Sequence, residues 1–151
     1  MTTTALAPAI SEDLRDFLRF YYGKRLQRTS DLSQKACCVL DTAERYRDIL
    51  RHIPAEVVER NYGCGSPIPD DDLTGLTVLD LGSGAGVDAF ILSAKVGPAG
   101  FVHGVDMTEE QLAVARAHRE QVARNLGFAA PNPAFHRGYI EVCEAIPDAS
   151  V

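Results

Sequence analysis

The 151-residue sequence contains no tryptophan and only two methionines. It has no apolar run approaching the ~18 residues that a membrane-spanning helix needs. No basic residue precedes the apolar ones in the first ten positions, so the start lacks the form of a secretory signal. Positive charge is scarce: 15 Lys and Arg stand against 21 Asp and Glu, a net charge of −6, which counts against a nucleic-acid grip built on general basicity. Cys37, Cys38, Cys64 and Cys143 form no Cys-x-x-Cys pair, and His52, His103, His118 and His136 are scattered, so no zinc-type spacing exists. In a chain without an export signal these cysteines read as thiols, not as a disulfide framework. There is no internal repeat. These absences point to a cytoplasmic globular chain whose partners are neither membrane nor nucleic acid.

Hydrophobic residues (46%) and charged residues (24%) stand in the proportions of one soluble domain. The charge is uneven, +1 over residues 1–60 and −7 over residues 61–151. Its sharpest local cluster, Asp70-Asp71-Asp72, reads as a solvated loop.

The first ten residues are expected to fray, and residues 11–72 to form a helical segment with a cysteine-bearing loop. Ser11 suits a helix cap, with Glu12 and Asp13 favourably placed on the dipole. Leu14, Phe17, Leu18, Tyr21, Tyr22 and Leu26 then trace an amphipathic stripe. Residues 41–51 suit a short helix, and Ala55 to Tyr62 another, started by Pro54 and stopped by Gly63. Residues 63–72, with two glycines and two prolines, form a loop.

From residue 73 the pattern changes. Thr77 to Leu81 reads as a strand, Val87 to Val96 as a helix closed by Gly97, and Gly100 to Val105 as a second strand. Thr108 and Gln111 have capping-box spacing for a helix through Leu126, stopped by Gly127. Ala134 to Arg137 completes a β–α–β–α–β order, which implies parallel strands and right-handed crossovers. Three such strands make half of a doubly wound sheet. Residues 73–151 are therefore expected to be the first half of a larger ligand-binding domain.

Gly82, Gly84 and Gly86 follow the first strand directly, the context in which glycines let a ligand approach backbone N–H groups. Their spacing is GxGxG and not the GxGxxG of dinucleotide folds. Asp80, two residues before Gly82, would repel a pyrophosphate but would pair with a cationic group. Asp106, twenty residues beyond Gly86, ends the second strand, where a carboxylate can accept from a ribose diol. The bland alternative is a glycine-rich turn with Asp80 as a structural acceptor.

At these residues the sequence resembles the arsenite methyltransferases, a branch of the S-adenosylmethionine-dependent class I methyltransferases. The stretches that carry the resemblance are Tyr21-Tyr-Gly-Lys24 with Ser30-Asp-Leu32, Tyr62-Gly-Cys-Gly65 and Val78-Leu-Asp-Leu-Gly-Ser-Gly84. Val105-Asp-Met-Thr108 with Gln111, and Gly138-Tyr-Ile-Glu141, complete the set. The resemblance implies an α/β Rossmann-like class I methyltransferase fold, here incomplete with about three parallel strands, plus an N-terminal helical segment. It implies methyl transfer from S-adenosylmethionine to arsenite or its thiol conjugate, with a thiol reductant as partner. By position, Asp80, Gly82, Gly84 and Gly86 would lie under the methionine moiety, and Asp106 would take the ribose. Met107 would pack on the adenine, Ile140 and Glu141 would edge it, and Tyr62 would close over the cofactor. Cys37 and Cys64 match thiols that the family uses in arsenic handling and an intramolecular disulfide step, Cys64 as an arsenic(III) ligand. Soft arsenic(III) favours thiolates, and its lone pair attacks a sulfonium methyl without a general base, so alignment supplies much of the catalysis.

Two departures stand out. The family's two further arsenic-binding cysteines would fall beyond Val151, and Cys143 matches neither, so the chain reads as an N-terminal portion. Val87 stands where the family often has Arg. The alternatives are a non-catalytic fragment that binds S-adenosylmethionine or arsenite, a methyltransferase for another small molecule, and an NAD-dependent oxidoreductase half. Asp80 and the glycine spacing count against the last.

Overall fold

A computed structural model describes residues 12–32, 43–63 and 65–151; Cys37, Cys38 and Cys64 lie outside the described residues. In chain order the N-terminal segment contributes α1 (Glu12–Phe20), a π-helical turn (Tyr21–Arg25), a 3-10 turn (Thr29–Asp31), α2 (Arg47–Leu50) and α3 (Ala55–Val58). Strand β1 (Thr77–Leu81), helix α4 (Val87–Val96), strand β2 (Phe101–Asp106), helix α5 (Glu109–Asn125) and strand β3 (Pro133–Arg137) follow. The three strands are parallel in the order β1-β2-β3, with Leu81 opposite Val105 and Asp106 opposite Arg137. Their carboxyl ends therefore line up along one edge.

Because the strand order advances in one direction, right-handed crossovers put α4 and α5 on the same sheet face. Val102 and Phe135 are buried on that face, with the Phe135 ring edge-on to Phe90 at 5.5 Å. The opposite face carries Phe101, His103 and His136, each half-buried. The sheet is open, as three strands of a doubly wound layout require.

Helix α4 is apolar nearly all round and buries Val87, Ala89, Phe90, Ile91, Leu92 and Val96. A helix of that kind needs cover on both sides, and the N-terminal segment supplies the second cover through Tyr46, Ile53 and Val57. Helix α5 is joined to the same segment by Asn125, whose side chain donates to the His52 carbonyl at 2.8 Å, and by His118, 2.9 Å from Glu56. Gly127 stops it with φ +76°. Among the described residues no helix is long and apolar enough to cross a membrane.

Three local expectations need correction. The first helix gives way at Tyr21 to the π-turn, and α1 itself buries no residue; Phe17 and Phe20 stay more than half exposed. Of the stripe only Leu26 reaches the core, because the π-turn docks on α5 with Gly23 packed against Thr108 and Glu110. The helix read from Ala55 to Tyr62 ends at Val58. Thr29 captures the carbonyls of Glu59 and Asn61, through its N–H at 2.8 Å and its hydroxyl at 2.9 and 2.8 Å. The capping box at Thr108 and Gln111 does not form: the Gln111 amide donates to the Tyr22 carbonyl at 2.9 Å.

Candidate functional site

The carboxyl edge of the sheet opens into a cavity of about 430 Å³, where open α/β sheets bind ligands. Its floor at β1 is the glycine loop. Gly82 and Ser83 donate their backbone N–H groups to the Val105 carbonyl at 2.8 and 3.0 Å, which fastens the loop across the end of β2. Gly86 caps α4 with φ +92°, and a Cβ there would meet the Phe135 ring at 3.0 Å and Ala115 at 3.2 Å. Positive φ and close approach together restrict that position to glycine. Gly82 and Gly84 also have positive φ but open space around them.

Asp80, at the foot of the loop, presents Oδ2 buried and without a partner. Burial, and then the carboxylates of Asp88 and Asp106, push its pKa up to about 7, a rise only partly offset by the backbone N–H of Ala89. Asp88 lies in the first turn of α4, where burial raises its pKa against the Ser66 hydroxyl, which donates to it at 3.3 Å. Asp106 closes the end of β2. Its Oδ2 accepts from the Gly84 N–H at 2.9 Å and its Oδ1 from the Thr108 N–H at 2.7 Å. These bonds fix the carboxylate and leave lone pairs on both oxygens, since a carboxylate offers about four acceptor sites.

Met107 adds apolar wall beside Asp106, and Gly138, Tyr139, Ile140 and Glu141 extend the wall past β3. Ile140 is exposed at the rim. The roof comes from the N-terminal segment: Leu18, Tyr22, Asn61, Tyr62 and Gly63, with the Tyr22 and Tyr62 rings 6.2 Å apart. The Tyr62 hydroxyl is buried without a partner, and burial raises its pKa. Along one edge the cavity thus offers a carboxylate with one unpaired oxygen for a cation, a fixed carboxylate for a pair of hydroxyls, and apolar and aromatic surface for a flat ring.

Tyr62, Asp80, Gly82, Gly84, Asp106, Met107, Ile140 and Glu141 all line this one cavity. Gly86 stands behind it as the α4 cap. Glu141 faces it with its carboxylate already engaged: Arg15 donates to its Oε1 at 3.0 Å, and a backbone bond, then Arg15, keep its pKa below the usual range. Cys37 and Cys64 lie outside the described residues. Cys143 is a free thiol whose Sγ contacts the Ile140 carbonyl at 3.7 Å. Among the described residues no group of three or more His, Cys, Asp or Glu is arranged for a metal ion.

The lining also includes Arg15, Arg60 and Asp88, which sequence reasoning missed. Asp88 had a signal, an acid in the first helical turn beyond the glycines. Arg15 had none, because its partner is 126 residues away.

A methyltransferase-domain model matches residues 72–150, the stretch from just before β1 past Glu141. The chain is 46% identical over 129 residues to an arsenite methyltransferase of Aquipseudomonas alcaligenes, covering 85% of this chain and 36% of that protein. It is 39% identical over 138 residues to the arsenite methyltransferase of Rattus norvegicus, covering 90% and 37%. A crystal structure of an arsenic(III) S-adenosylmethionine methyltransferase from Chlamydomonas reinhardtii superposes with a TM-score of 0.61 at 48% identity, over 63% of this chain and 32% of that one. The chain thus spans about a third of the length of these relatives. With the glycine loop, the two strand-end acids and the parallel sheet inside the matched stretch, the chain belongs to the methyltransferase-domain family.

Proposed function

We propose that this chain is the cofactor-binding part of an S-adenosylmethionine-dependent arsenite methyltransferase. The observation that carries the reading is Asp80 Oδ2, buried and partnerless at the foot of the glycine loop. A buried carboxylate oxygen left without a partner is costly unless a cation or donor reaches it. With Asp88 and Asp106 nearby, the site favours a cationic ligand and disfavours a diphosphate.

The cofactor is S-adenosylmethionine. Asp80 would hold its ammonium group, with Gly82, Gly84 and Gly86 shaping the loop under the methionine moiety. Asp106 would accept from both ribose hydroxyls without reorienting, since two backbone N–H groups already fix it. Met107 and Ile140 would face the adenine, and Tyr62 would cover the cofactor and keep water out. Bound there, S-adenosylmethionine supplies an electrophilic methyl group to the lone pair of trivalent arsenic. The protein's part is then alignment and exclusion of water.

The arsenite reading draws on relatives that match across both the N-terminal segment and the sheet. By contrast, a demethylmenaquinone methyltransferase of Lactococcus lactis matches only 47% of the chain. Cys64, next after cavity-lining Gly63, is the proposed arsenic ligand, and Cys37 the proposed partner thiol. Arsenite or its thiol conjugate is the substrate, in a cytoplasmic setting that provides a thiol reductant.

Calorimetric titration of the full chain with S-adenosylmethionine is expected to saturate at one site. Asp106→Ala should weaken it by about tenfold or more, the worth of one or two hydrogen bonds to a charged group. Unchanged affinity would overturn the reading. Methylated arsenicals formed from arsenite, S-adenosylmethionine and glutathione would extend it to turnover. Cofactor binding with no product would favour the non-catalytic alternative.

A further inference from the structure

The π-turn at residues 21–25 closes with the Leu26 N–H donating to the Tyr21 carbonyl at 3.0 Å. The N–H that would continue the pattern, that of Gln27, goes instead to Asp31 Oδ2 at 3.0 Å. The Tyr22 carbonyl is thereby left to a side chain from α5: Gln111 Nε2 donates to it at 2.9 Å. Gln111 is buried, and an amide nitrogen carries two hydrogens at a fixed angle, so one N–H remains. The Tyr22 ring stands 6.2 Å from the Tyr62 ring, whose hydroxyl is buried without a partner. Burial raises the Tyr62 pKa, and the Gln111 side chain pulls against that rise. A donor near the oxygen acts in that direction, because a donated hydrogen bond favours the phenolate. The spare N–H of Gln111 and the orphan oxygen of Tyr62 thus share one space, short of a formed bond.

Gln111 also stands at a junction. Asp106 Oδ1 accepts from the Thr108 N–H at 2.7 Å, and the Thr108 carbonyl accepts from the Gln111 N–H at 3.2 Å. One short run therefore holds the carboxylate assigned to the diol at one end and the roof tyrosines at the other. The backbone just before Tyr62 is fastened separately, by the Thr29 hydroxyl on the Glu59 and Asn61 carbonyls. The Tyr62 hydroxyl is the end of that residue with nothing to hold it.

We propose that Gln111 is a positioning residue for the roof: with one N–H on the Tyr22 carbonyl, it donates the other to the Tyr62 hydroxyl in the liganded chain and so seats the Tyr62 ring over the cofactor. The bond runs between two groups of the protein, so no ligand atom has to reach the buried amide. The assignment rests on the cofactor reading above, in which Tyr62 covers S-adenosylmethionine, and it adds what holds that cover down.

The test is a double-mutant cycle on S-adenosylmethionine affinity, read by calorimetric titration of the full chain. Tyr62→Phe keeps the ring and removes its oxygen. Gln111→Met and Gln111→Leu each remove the N–H groups and leave an apolar side chain of similar size. Tyr62→Phe is expected to weaken binding about fivefold in the unsubstituted chain, the worth of one neutral hydrogen bond. In either Gln111 background the same change should cost less than about twofold, the range of independent sites. If Gln111 served only to pack α5, the Tyr62→Phe loss would be the same with and without it; that result overturns the assignment, as does a Tyr62→Phe chain that binds like the parent. A spectroscopic readout stands apart from the affinities. With carbon-13 at tyrosine Cζ, the Tyr62 signal, identified by its loss in Tyr62→Phe, should move when S-adenosylmethionine is added, and move less in Gln111→Met. Equal movement in both chains also overturns it. If S-adenosylmethionine fails to bind the unsubstituted chain, the cofactor reading falls and takes this assignment with it. If Asp106→Ala weakens binding while Tyr62→Phe costs the same with and without Gln111, only the Gln111 assignment falls.

Discussion

At Asp80 the folded chain holds a carboxylate whose pKa is raised to about 7, against about 3.9 in an unfolded chain. Below pH 4 both states are protonated and the residue is neutral toward folding. As pH rises from 4 to 7 the unfolded chain ionises first, so stability is lost across that window and the loss is complete above it. A cationic ligand reverses the preference, because it favours the ionised form. Asp80→Asn should therefore raise the melting temperature of the ligand-free chain at pH 8, with the gain fading toward pH 5. The same substitution should weaken S-adenosylmethionine binding at pH 8 by tenfold or more. Thermal unfolding and calorimetry at the two pH values check both halves; a variant equally stable at pH 8 and tighter in binding would contradict the assignment. The half-buried pair His103 and His136, 3.1 Å apart across β2 and β3, has the opposite sign. Burial lowers both pKa values, so their contribution is present above about pH 6.5 and is lost as pH falls.

Among the elements, α4 has the least freedom to change, since its apolar residues face both the sheet and the N-terminal segment. Phe90, fully buried and edge-on to Phe135, joins the two layers. Phe90→Ala should cost about 3–5 kcal/mol, read as a lower denaturant midpoint at unchanged slope; a loss below ~1 kcal/mol would mean that α4 is not the centre of the core. Elements of this kind were legible in the sequence. Val87 to Val96 is mostly apolar, with Asp88, Ser93 and Lys95 as its polar side chains, and is bounded by glycines, and each strand is a short run rich in apolar residues that ends at a turn signal. Local chemistry therefore decided them, and they agree with the structure to within a residue or two. The misreadings came where a distant residue overrode local preference. Thr29 takes the carbonyls that would have extended α3, Tyr22 takes the amide that would have capped α5, and Gly23 finds its neighbours on α5. The site divides in the same way. Asp80, the glycines and Asp106 stand in one βαβ spacing, whereas Arg15 belongs to the cavity only through contacts more than 120 residues away in sequence.

For the molecule as a whole, the cavity joins two segments that composition already separates: the near-neutral N-terminal sixty residues and the acidic remainder. The acidic part supplies Asp80, Asp88 and Asp106, and the N-terminal part brings Arg15 and Arg60 to the same wall. A ligand filling the cavity touches both, so its binding energy acts on their association as well as on the sheet. At a hundred times the dissociation constant, S-adenosylmethionine should stabilise the native chain by about 2.7 kcal/mol, or roughly 5–10 °C in melting temperature for a chain of this size. The distribution of that gain is the sharper measurement. Strand β2 buries Val102, Gly104 and Val105, whereas α1 has no buried residue and should exchange its amide hydrogens rapidly in the free chain. If the cavity is closed by both segments, ligand should slow exchange over residues 12–20 and 138–141 together with the glycine loop. If protection rises only over residues 80–106, the N-terminal helix takes no part in holding the ligand, and the site belongs to the sheet alone.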